Sequence, residues 1–424
     1  MTLLISQAKQ SMQMEVCTLG KTLLVLGAGA DQIPGFQKAR EMGIYTIALD
    51  GNPNAAAKEY ADEFYVASIK HFEQIKTFLE KNLKKHVDGV IAFGVDIASI
   101  IAKTADILHV NHTVPVQSAL LSEDKFLAKE FMASHGINIP PFRLVKTTKE
   151  IEDFILHVGL PIIIKPVDNS AARGISYVTH RDQVDVAFQD ALKNSKNQKI
   201  IVEKFLSGPQ ISSESFIIDR TIHNIGFADR NYDDMERFLP HIIENGGDLP
   251  SRFMLDKHKK TLSHYLKTIT DTLDIKNGVI KGDLVIHNDE LYIIEFALRL
   301  SGGNFSTIEI PKNTGIDFIK IAIKLHLNIP ISNNELIATN NEYISLRYKF
   351  SEDLSGGIIQ KIITPCEDKN IIFKQFHINT GDSIPIKTTH HASRLGYAIA
   401  RGDSRQNAIQ NAQHFLDATR IDVE

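Results

Sequence analysis

The sequence predicts a multidomain protein of the α/β and α+β classes, and three observations support this fold class. The chain has 424 residues, which corresponds to two to four domains of about 100–200 residues each. Apolar residues make up 43% of it, enough for a sizeable core. Short apolar runs alternate with stretches of helical period near the N-terminus, and this alternation is typical of parallel βαβ units.

A first α/β domain is predicted over residues 21–115. Its predicted elements are strand 22–26, helix 32–42, strand 45–49, strand 64–66, strand 89–93 and a helix that leads from Asp96 to near Leu108. Pro115 marks the end of the domain, because proline neither continues a helix nor donates to a central strand ladder. Residues 1–20 precede the domain as an N-terminal extension.

A second domain is predicted over residues 116–330, and a C-terminal α+β domain over residues 331–424. Ser122-Glu123-Asp124 opens a predicted helix that reaches His135, and Thr147 forms a capping box with Glu150 at the start of the next helix. The remaining predicted elements are strands 142–145, 160–166, 176–178 and 200–202, helices 183–193 and 256–273, a hairpin of strands 283–286 and 291–296, and a closing helix 403–416.

Composition excludes several classes of protein. Lys and Arg number 47 against 51 Asp and Glu, a net charge of −4, and no long block of one sign indicates a nucleic-acid partner. Two cysteines, Cys17 and Cys366, cannot build a disulfide framework or a zinc ribbon and fit a reducing cytoplasm. No segment reaches the about 18 apolar residues of a membrane span, so we expect a soluble cytoplasmic protein.

Two weaker patterns are interpreted as structural. Gly27 and Gly29 follow the first strand, as in a dinucleotide fingerprint, but Gln32 occupies the position of the third glycine. We therefore expect a tight βα turn without a cofactor, although a backbone-amide anion site at the helix N-terminus stays open. Zinc is not expected, because HExxH is missing and two close histidine pairs lack a third ligand. These pairs are His109 with His112, and His390 with His391.

A more specific pattern is the stretch 162–176, in which Lys165 ends an apolar strand and a small-residue turn follows. Such a lysine can bind one phosphate while the backbone amides of the turn contact the others. The stretch is not a Walker A loop, because GxxxxGK[ST] is absent. Taken alone, it is also compatible with an ordinary hairpin that carries a snorkelling lysine.

Five motifs in a fixed order extend this pattern. They are Glu123-Asp124-Lys125, the stretch 162–176, the segment 202–214, the pair Lys281-Gly282-Asp283 and Ile294-Glu295-Phe296, and Arg299-Leu300-Ser301-Gly302-Gly303-Asn304. This order resembles the ATP-grasp superfamily, in the branch of biotin carboxylase, the purine-pathway carboxylases and the amino-acid ligases. The resemblance runs from about residue 21 to the C-terminus and includes the segment 394–403. It implies a pre-ATP-grasp α/β domain, an ATP-grasp core of two α+β subdomains and a C-terminal α+β segment.

The resemblance also implies a nucleotide site. Lys125 and Lys165 match the two phosphate lysines, and the stretch 168–176 matches a flexible loop that closes over the phosphates. The segment 203–206 matches the strand that reads adenine, and Gln210 stands where a glutamate often holds the ribose. The implied cofactor-binding residues are Lys125, Lys165, Asp168, Ser170, Gly174, Ser176, Glu203, Lys204, Phe205, Leu206 and Gln210.

Asp283 and Glu295 match the carboxylates that hold Mg²⁺, or Mn²⁺, next to the phosphates of ATP. Arg299 matches the arginine that meets the acyl phosphate or its parent carboxylate, and Lys165 is implied as its catalytic partner. The alternatives are a solvated carboxylate pair beside a hairpin, a surface position for Lys125, and an Arg299 that only braces Glu295. One departure is Ala297-Leu298, where relatives often carry Asn-Pro; Asn304 or a water is the expected substitute.

The implied activity is that of an ATP-dependent carboxylate–amine ligase. ATP phosphorylates a carboxylate, and an amine attacks the acyl phosphate to give an amide, ADP and phosphate. The small-molecule acid and amine are the expected partners, a homodimer is expected from the resemblance only, and the region 227–251 is expected to shape the substrate pocket. A bicarbonate-using carboxylase and an ATP-binding regulatory subunit without turnover remain alternatives.

Overall fold

The computed structural model describes residues 20–111, 113–354, 356–366 and 368–424. Of the predicted N-terminal extension, residues 1–19 lie outside the described residues, and Cys17 lies among them. His112, one member of the histidine pair considered for zinc, is also outside the described part. No helix in the described ranges is long and apolar enough to cross a membrane.

The N-terminal part is a four-stranded parallel sheet of order β3-β2-β1-β4. Its elements are β1 (Thr22–Leu26), α1 (Ile33–Glu41), β2 (Tyr45–Asp50), β3 (Glu63–Val66), α2 (Phe72–Lys81), β4 (Gly89–Ile91) and α3 (Ala98–Leu108). The predicted βαβ organisation is confirmed, and α2 is an addition to the predicted elements. The central strand β1 is buried throughout, as expected for a continuous apolar run in a parallel sheet.

The turn after β1 is tight. Gly27 has φ +104°, and a Cβ at this position would lie 2.2 Å from the side chain of Gln32, so glycine is required here. The amide of Ala28 donates to Oδ2 of Asp50 at 2.8 Å. An anion at this turn would therefore meet a carboxylate that already accepts one of the backbone amides.

The helix that Ser122-Glu123-Asp124 was predicted to open is present, but two of these three residues belong to the helix before it. The structure has two helices, α4 (Val116–Glu123) and α5 (Lys125–Ser134). Asp124 separates them in extended conformation and accepts the amides of Phe126 and Leu127 at 2.9 and 3.1 Å. This side-chain cap starts α5 at Lys125, and it places the predicted phosphate lysine at the first residue of a helix.

A four-stranded antiparallel sheet of order β5-β8-β6-β7 follows. Its elements are β5 (Phe142–Val145), α6 (Thr148–Val158), β6 (Ile162–Pro166), β7 (Ser176–Val178), α7 (Val184–Lys193) and β8 (Ile200–Lys204). The predicted capping box of Thr147 and Glu150 is present at the start of α6. Ile162 and Ile164 pack into the core under α6 and α7, so Lys165 points to the opposite face, because side chains alternate along a strand.

The largest sheet has eight strands in the order β13-β12-β9-β10-β11-β14-β18-β16. The elements are β9 (Gln210–Ile218), β10 (Thr221–Asn231), α8 (Met235–Phe238), β11 (Gly246–Leu249), α9 (Asp256–Thr272), β12 (Gly278–His287), β13 (Glu290–Ala297), a π-helical turn (Phe305–Glu309), α10 (Ile310–Thr314), α11 (Phe318–His326), β14 (Tyr343–Lys349), β15 (Gly357–Ile363), β16 (Ile371–Phe376), β17 (Ser383–Ile384), β18 (Gly396–Gly402), α12 (Arg405–Ala418) and β19 (Arg420–Val423). A small sheet contains β17, β15 and β19. The large sheet runs across residues 330 and 331, where the predicted second and third domains meet.

The hairpin of β12 and β13 is confirmed, and its strands are longer than predicted. Asn288 and Asp289 form its turn with φ values of 50° and 65°, the left-handed pair that a tight hairpin favours. Asp283 and Glu295 are register partners on the two strands. Paired residues of antiparallel strands lie on the same face, so the hairpin brings the two predicted metal ligands together.

Candidate functional site

A cleft lies between the four-stranded antiparallel sheet and the hairpin end of the large sheet. Its volume is about 1080 Å³, including the part open to solvent, which is the size of a pocket for a nucleotide and a small substrate. Most of the predicted site residues line this cleft. They are Lys125, Lys165, Ser170, Glu203, Lys204, Phe205, Leu206, Gln210, Asp283, Glu295 and Arg299.

Three predicted loop residues do not line the cleft. Asp168 accepts hydrogen bonds from Oγ of Ser195 at 3.1 Å and from the amides of Lys196 and Asn197, both at 2.9 Å. Gly174 has φ +70° and leaves no room for a Cβ beside Asn194. Ser176 is buried in β7. These three residues therefore shape the ends of the loop and do not line the cleft.

The centre of the loop faces the cleft and is held from two sides. Nζ of Lys125 donates to the carbonyl of Asn169 at 2.7 Å. The carbonyl of Ala171 accepts the backbone amide of His391 at 3.0 Å. Ala171 and Ala172 have left-handed φ values of 56° and 61°, and both residues line the cleft. The segment 169–172 is thus the part of the loop that can contact phosphates.

Lys165 belongs to a buried cluster of three charged side chains, in which Glu203 lies between Lys165 and Lys129. Oε1 of Glu203 lies 2.7 Å from Nζ of Lys165, and Oε2 lies 3.2 Å from Nζ of Lys129. Burial opposes the charge on Glu203, but the two ammonium groups outweigh it and hold the pKa of Glu203 below its usual range. Burial lowers the pKa of Lys129 to about 8, against the attraction of Glu203. The Glu203 carboxylate therefore orients Lys165, and each of its two oxygens lies beside a lysine ammonium.

The two predicted metal ligands are surrounded by cations. Asp283 accepts from Nζ of Lys281 at 2.7 Å and lies 3.4 Å from a guanidinium nitrogen of Arg230. Nζ of Lys125 lies 3.5 Å from Oε2 of Glu295. Burial opposes ionisation of Asp283, but Lys281 and Arg230 outweigh it and hold its pKa well below the usual range. Asp283 is therefore a carboxylate at every working pH.

This donor set fits Mg²⁺. Asp283 and Glu295 supply hard carboxylate oxygens from adjacent strands, and Mg²⁺ usually takes only one or two protein carboxylates beside phosphate oxygens and water. Within the described part of the chain, no group of three or more His, Cys, Asp and Glu residues could hold a metal by itself. The pair therefore suits a metal that arrives with a polyphosphate better than it suits a structural metal.

Arg299 forms its ion pair with Asp96, in the loop after β4, and not with Glu295. Its Nε donates to the carboxylate of Asp96, and another guanidinium nitrogen donates to the carbonyl of Leu300 at 2.9 Å. The next residue, Ser301, donates its amide to the buried Glu214 at 2.8 Å. The alternative that Arg299 only braces Glu295 is therefore replaced by a specific contact with Asp96.

Several residues in the cleft, and the buried Lys129 behind it, had no predicted role. Asp96 follows the carboxyl end of β4, the edge of a parallel sheet where ligand sites usually form. Lys129 lies one helical turn after Lys125, a spacing that indicates a shared face. The region 227–251, predicted to shape the pocket, contributes Arg230, Tyr232 and Ile242, and two further lining residues are Lys281 and His391.

Comparison with known proteins places this geometry in a family. The model of the family described as the ATP binding domain of the carbamoyl-phosphate synthase L chain matches residues 124–334. The chain belongs to the ATP-grasp superfamily. The matched residues include all five predicted motifs apart from Glu123.

The ATP-grasp chain is also similar to whole proteins of this superfamily. It is 24% identical to the formate-dependent phosphoribosylglycinamide formyltransferase of Bacillus subtilis, over 94% of this chain and 98% of that one. The solved L-amino acid ligase of Bacillus licheniformis matches with a TM-score of 0.79 and 17% identity, over 96% of this chain and 99% of that chain. The N5-carboxyaminoimidazole synthetase of Staphylococcus aureus with ADP matches with a TM-score of 0.70 and 16% identity, over 94% and 98%.

One departure from the ATP-grasp pattern has a structural consequence. Ala297 is the register partner of Lys281 at the end of the hairpin and brings no polar group there. Asn304, the expected substitute, is buried and does not line the cleft: its Nδ2 donates to the hydroxyl of Tyr397, and its Oδ1 accepts from Thr307 at 3.1 Å. The neighbouring polar side chain in the cleft is that of Lys281.

Proposed function

We propose that this ATP-grasp protein is an ATP-dependent carboxylate–amine ligase that acts through an acyl phosphate and releases ADP and phosphate. The proposal rests on one observation: lysine ammonium groups and carboxylates face each other across the cleft. Lys125 and Lys165 lie on one side, and Asp283 and Glu295 lie on the other, with 3.5 Å between Lys125 and Glu295. A metal polyphosphate matches both groups at once, because its anionic oxygens suit the lysines and its cation suits the carboxylates.

Asp283 and Glu295 would hold Mg²⁺, and the ion would neutralise charge on the phosphoryl group that is transferred. Lys165, oriented by Glu203, and Lys125 bind phosphate oxygens as point charges. The amides of Lys204 and Phe205 already donate to the carbonyls of Pro141 and Pro161, at 2.8 and 3.2 Å. Adenine contact therefore rests on Leu206 and on the carbonyls of this segment.

Arg299 binds the acid substrate. Its guanidinium is a planar fork that matches a carboxylate, and Asp96 holds it from the side of the N-terminal sheet. A carboxylate oxygen attacks the γ-phosphorus and ADP leaves; the nitrogen of the amine then attacks the acyl carbon and phosphate leaves. Catalysis consists mainly of positioning and charge stabilisation within the cleft.

The test is a screen for ADP release with Mg-ATP. The acids are formate, bicarbonate and the common L-amino acids, each alone and with a panel of amines, and Glu295→Gln is the inactive reference. A ligase needs both the acid and the amine for ADP release, or it releases ADP much faster with both than with the acid alone. Release with bicarbonate without an added amine would assign the chain to the carboxylases, and no release under any condition would assign it to non-catalytic ATP binding.

The proposal has three further parts. The division into an extension over 1–20 and domains over 21–115, 116–330 and 331–424 is supported at residue 115 by the separate N-terminal parallel sheet, whereas the large sheet continues across residues 330 and 331. Limited proteolysis would test each boundary. A cytoplasmic location accords with the two cysteines of the chain. A homodimer is expected from the resemblance, and light scattering of the purified protein would measure its mass.

A further inference from the structure

His391 lies where the loop segment 169–172 meets the part of the cleft that holds Arg299. It lines the cleft together with Arg230, Lys281 and Arg299. Its backbone amide donates to the carbonyl of Ala171 in the loop at 3.0 Å. The ring is therefore close to the groups that surround the proposed acyl phosphate, and it belongs to a segment far from the ATP-binding motifs in sequence.

The two nitrogens of this ring have different surroundings. One of them hydrogen-bonds to the backbone of Ile242, a contact that favours a proton on that nitrogen. The other, Nε2, is buried and has no hydrogen-bond partner in the described structure. A histidine with one nitrogen fixed as a donor presents a lone pair on the other when the ring is neutral.

The ring is held neutral by its surroundings. Burial is the largest cause, and the positive charges of Arg394, Arg230 and Lys281 act in the same direction, so the pKa of His391 lies well below its usual range. These cations come from the C-terminal segment, from β10 and from β12. The neutral ring keeps the unpartnered lone pair of Nε2 available beside the cleft. The neighbouring cations oppose its protonation, and the negative charge of a bound acyl phosphate would offset them.

We propose that His391 is the general base that accepts the proton of the attacking amine. This role rests on the proposed ligase function. The nitrogen lone pair forms the new bond to the acyl carbon, the bond from that carbon to the phosphate oxygen breaks, and phosphate leaves with the electron pair. The proton lost from the nitrogen passes to Nε2 of His391 and then to solvent.

A competing role is structural, because the ring also ties Ile242 to the C-terminal segment. Hydroxylamine separates the two roles, since it is uncharged at neutral pH and attacks acyl phosphates without a strong base. The wild-type protein, His391→Gln and His391→Asn are compared with Mg-ATP and the acid found in the screen, once with the productive amine and once with hydroxylamine. His390→Gln is the matched control, because the neighbouring histidine does not line the cleft.

We expect His391→Gln and His391→Asn to slow amide formation by about 100-fold or more, the usual contribution of a general base. Hydroxamate formation stays within about two-fold of the wild-type rate, since it does not draw on that contribution. His390→Gln leaves both rates unchanged.

Three results would overturn the role. They are an equal loss in both assays, unchanged amide formation in the two His391 variants, and a loss that follows a lowered melting temperature. A wild-type protein that forms neither amide nor hydroxamate with any acid would instead remove the ligase function, and this inference with it.

Discussion

Arg299 donates from its Nε to the carboxylate of Asp96, which lies 203 positions earlier in the chain. Arg299 follows β13 of the large sheet, and Asp96 follows β4 of the parallel sheet. A Cβ on Gly94 would lie 3.0 Å from Cα of Gly302, so the two loops pack closely beside this ion pair. The N-terminal sheet thus contributes directly to the position of the arginine that is proposed to bind the acid.

Arg299→Lys is expected to cut acid-dependent ADP release by roughly ten-fold or more, a loss of about 1.4 kcal/mol of transition-state stabilisation. Lysine keeps the charge but loses the planar fork, so ATP binding and the melting temperature change little. Steady-state kinetics and calorimetry on the same preparation measure both effects. Joint loss of thermal stability and ATP affinity would show that Arg299 is structural.

Asp96→Asn tests the ion pair itself. We expect Asp96 to act through Arg299, so the single variant should lose less activity than Arg299→Lys, and the double variant should lose no more than Arg299→Lys does. The kinetic measurements of the double-mutant cycle check this. Additive losses would mean that Asp96 contacts the substrate independently.

Glu295→Gln is expected to lower turnover by about 100-fold or more while nucleotide affinity falls much less, because a lost metal charge matters most when the phosphoryl group is transferred. Glu290→Gln is the control, since Glu290 is exposed at the start of the same strand. ADP release at saturating Mg²⁺ is the measurement. Equal rates for the two variants would exclude Glu295 as a metal ligand.

The loop segment 169–172 is expected to exchange its amide hydrogens more slowly when Mg-ATP is bound. Its backbone faces the cleft, and phosphate oxygens would supply acceptors for its amides. Hydrogen exchange followed by mass spectrometry measures this, with the buried strand β6 as the internal reference. Equal protection with and without nucleotide would exclude a role for the loop in closure.

Glu214→Gln is expected to make stability less dependent on pH. Burial raises the pKa of Glu214 from 4.5 to about 7, against the hydrogen bond from Ser301. The folded protein therefore binds a proton more tightly than the unfolded chain, and this contribution is complete below about pH 4.5 and lost as the pH rises through 7.

The melting temperature of the wild type should accordingly fall relative to that of Glu214→Gln between pH 4.5 and 7.5, by about 2 °C or more. The difference between the two proteins isolates Glu214 from other groups that titrate in this range. A constant difference across the range would mean that the carboxyl ionises with an ordinary pKa.

The sequence predicted what local patterns specify. Thr147 and Glu150 form the expected capping box, and the Asn288-Asp289 turn joins the expected hairpin. The motif order also predicted which side chains meet in the cleft, because five spaced motifs constrain one another more than any single motif does. Most of the predicted site residues that line the cleft were therefore accessible without a structure.

Other features depend on contacts that sequence patterns do not encode. The Asp96–Arg299 pair joins two sheets, and nothing near either residue indicates its partner. Asp168 was expected to face phosphates, yet its carboxylate accepts amides of the 195–197 turn, because a loop sequence does not specify the direction of each side chain. The segment Ser122-Glu123-Asp124 was expected to open one helix, whereas Ser122 and Glu123 end the preceding helix and Asp124 alone caps the next.

The central claim is that Mg-ATP binds between the lysines and the carboxylates of the cleft, and calorimetric titration of Mg-ATP tests it most directly. We predict that the wild-type protein binds, that Lys165→Met binds at least about ten-fold more weakly, a loss of about 1.4 kcal/mol, and that Lys199→Met, which alters an exposed lysine before β8, binds like the wild type. Absence of binding to the wild-type protein, or equal binding to all three, would contradict the account.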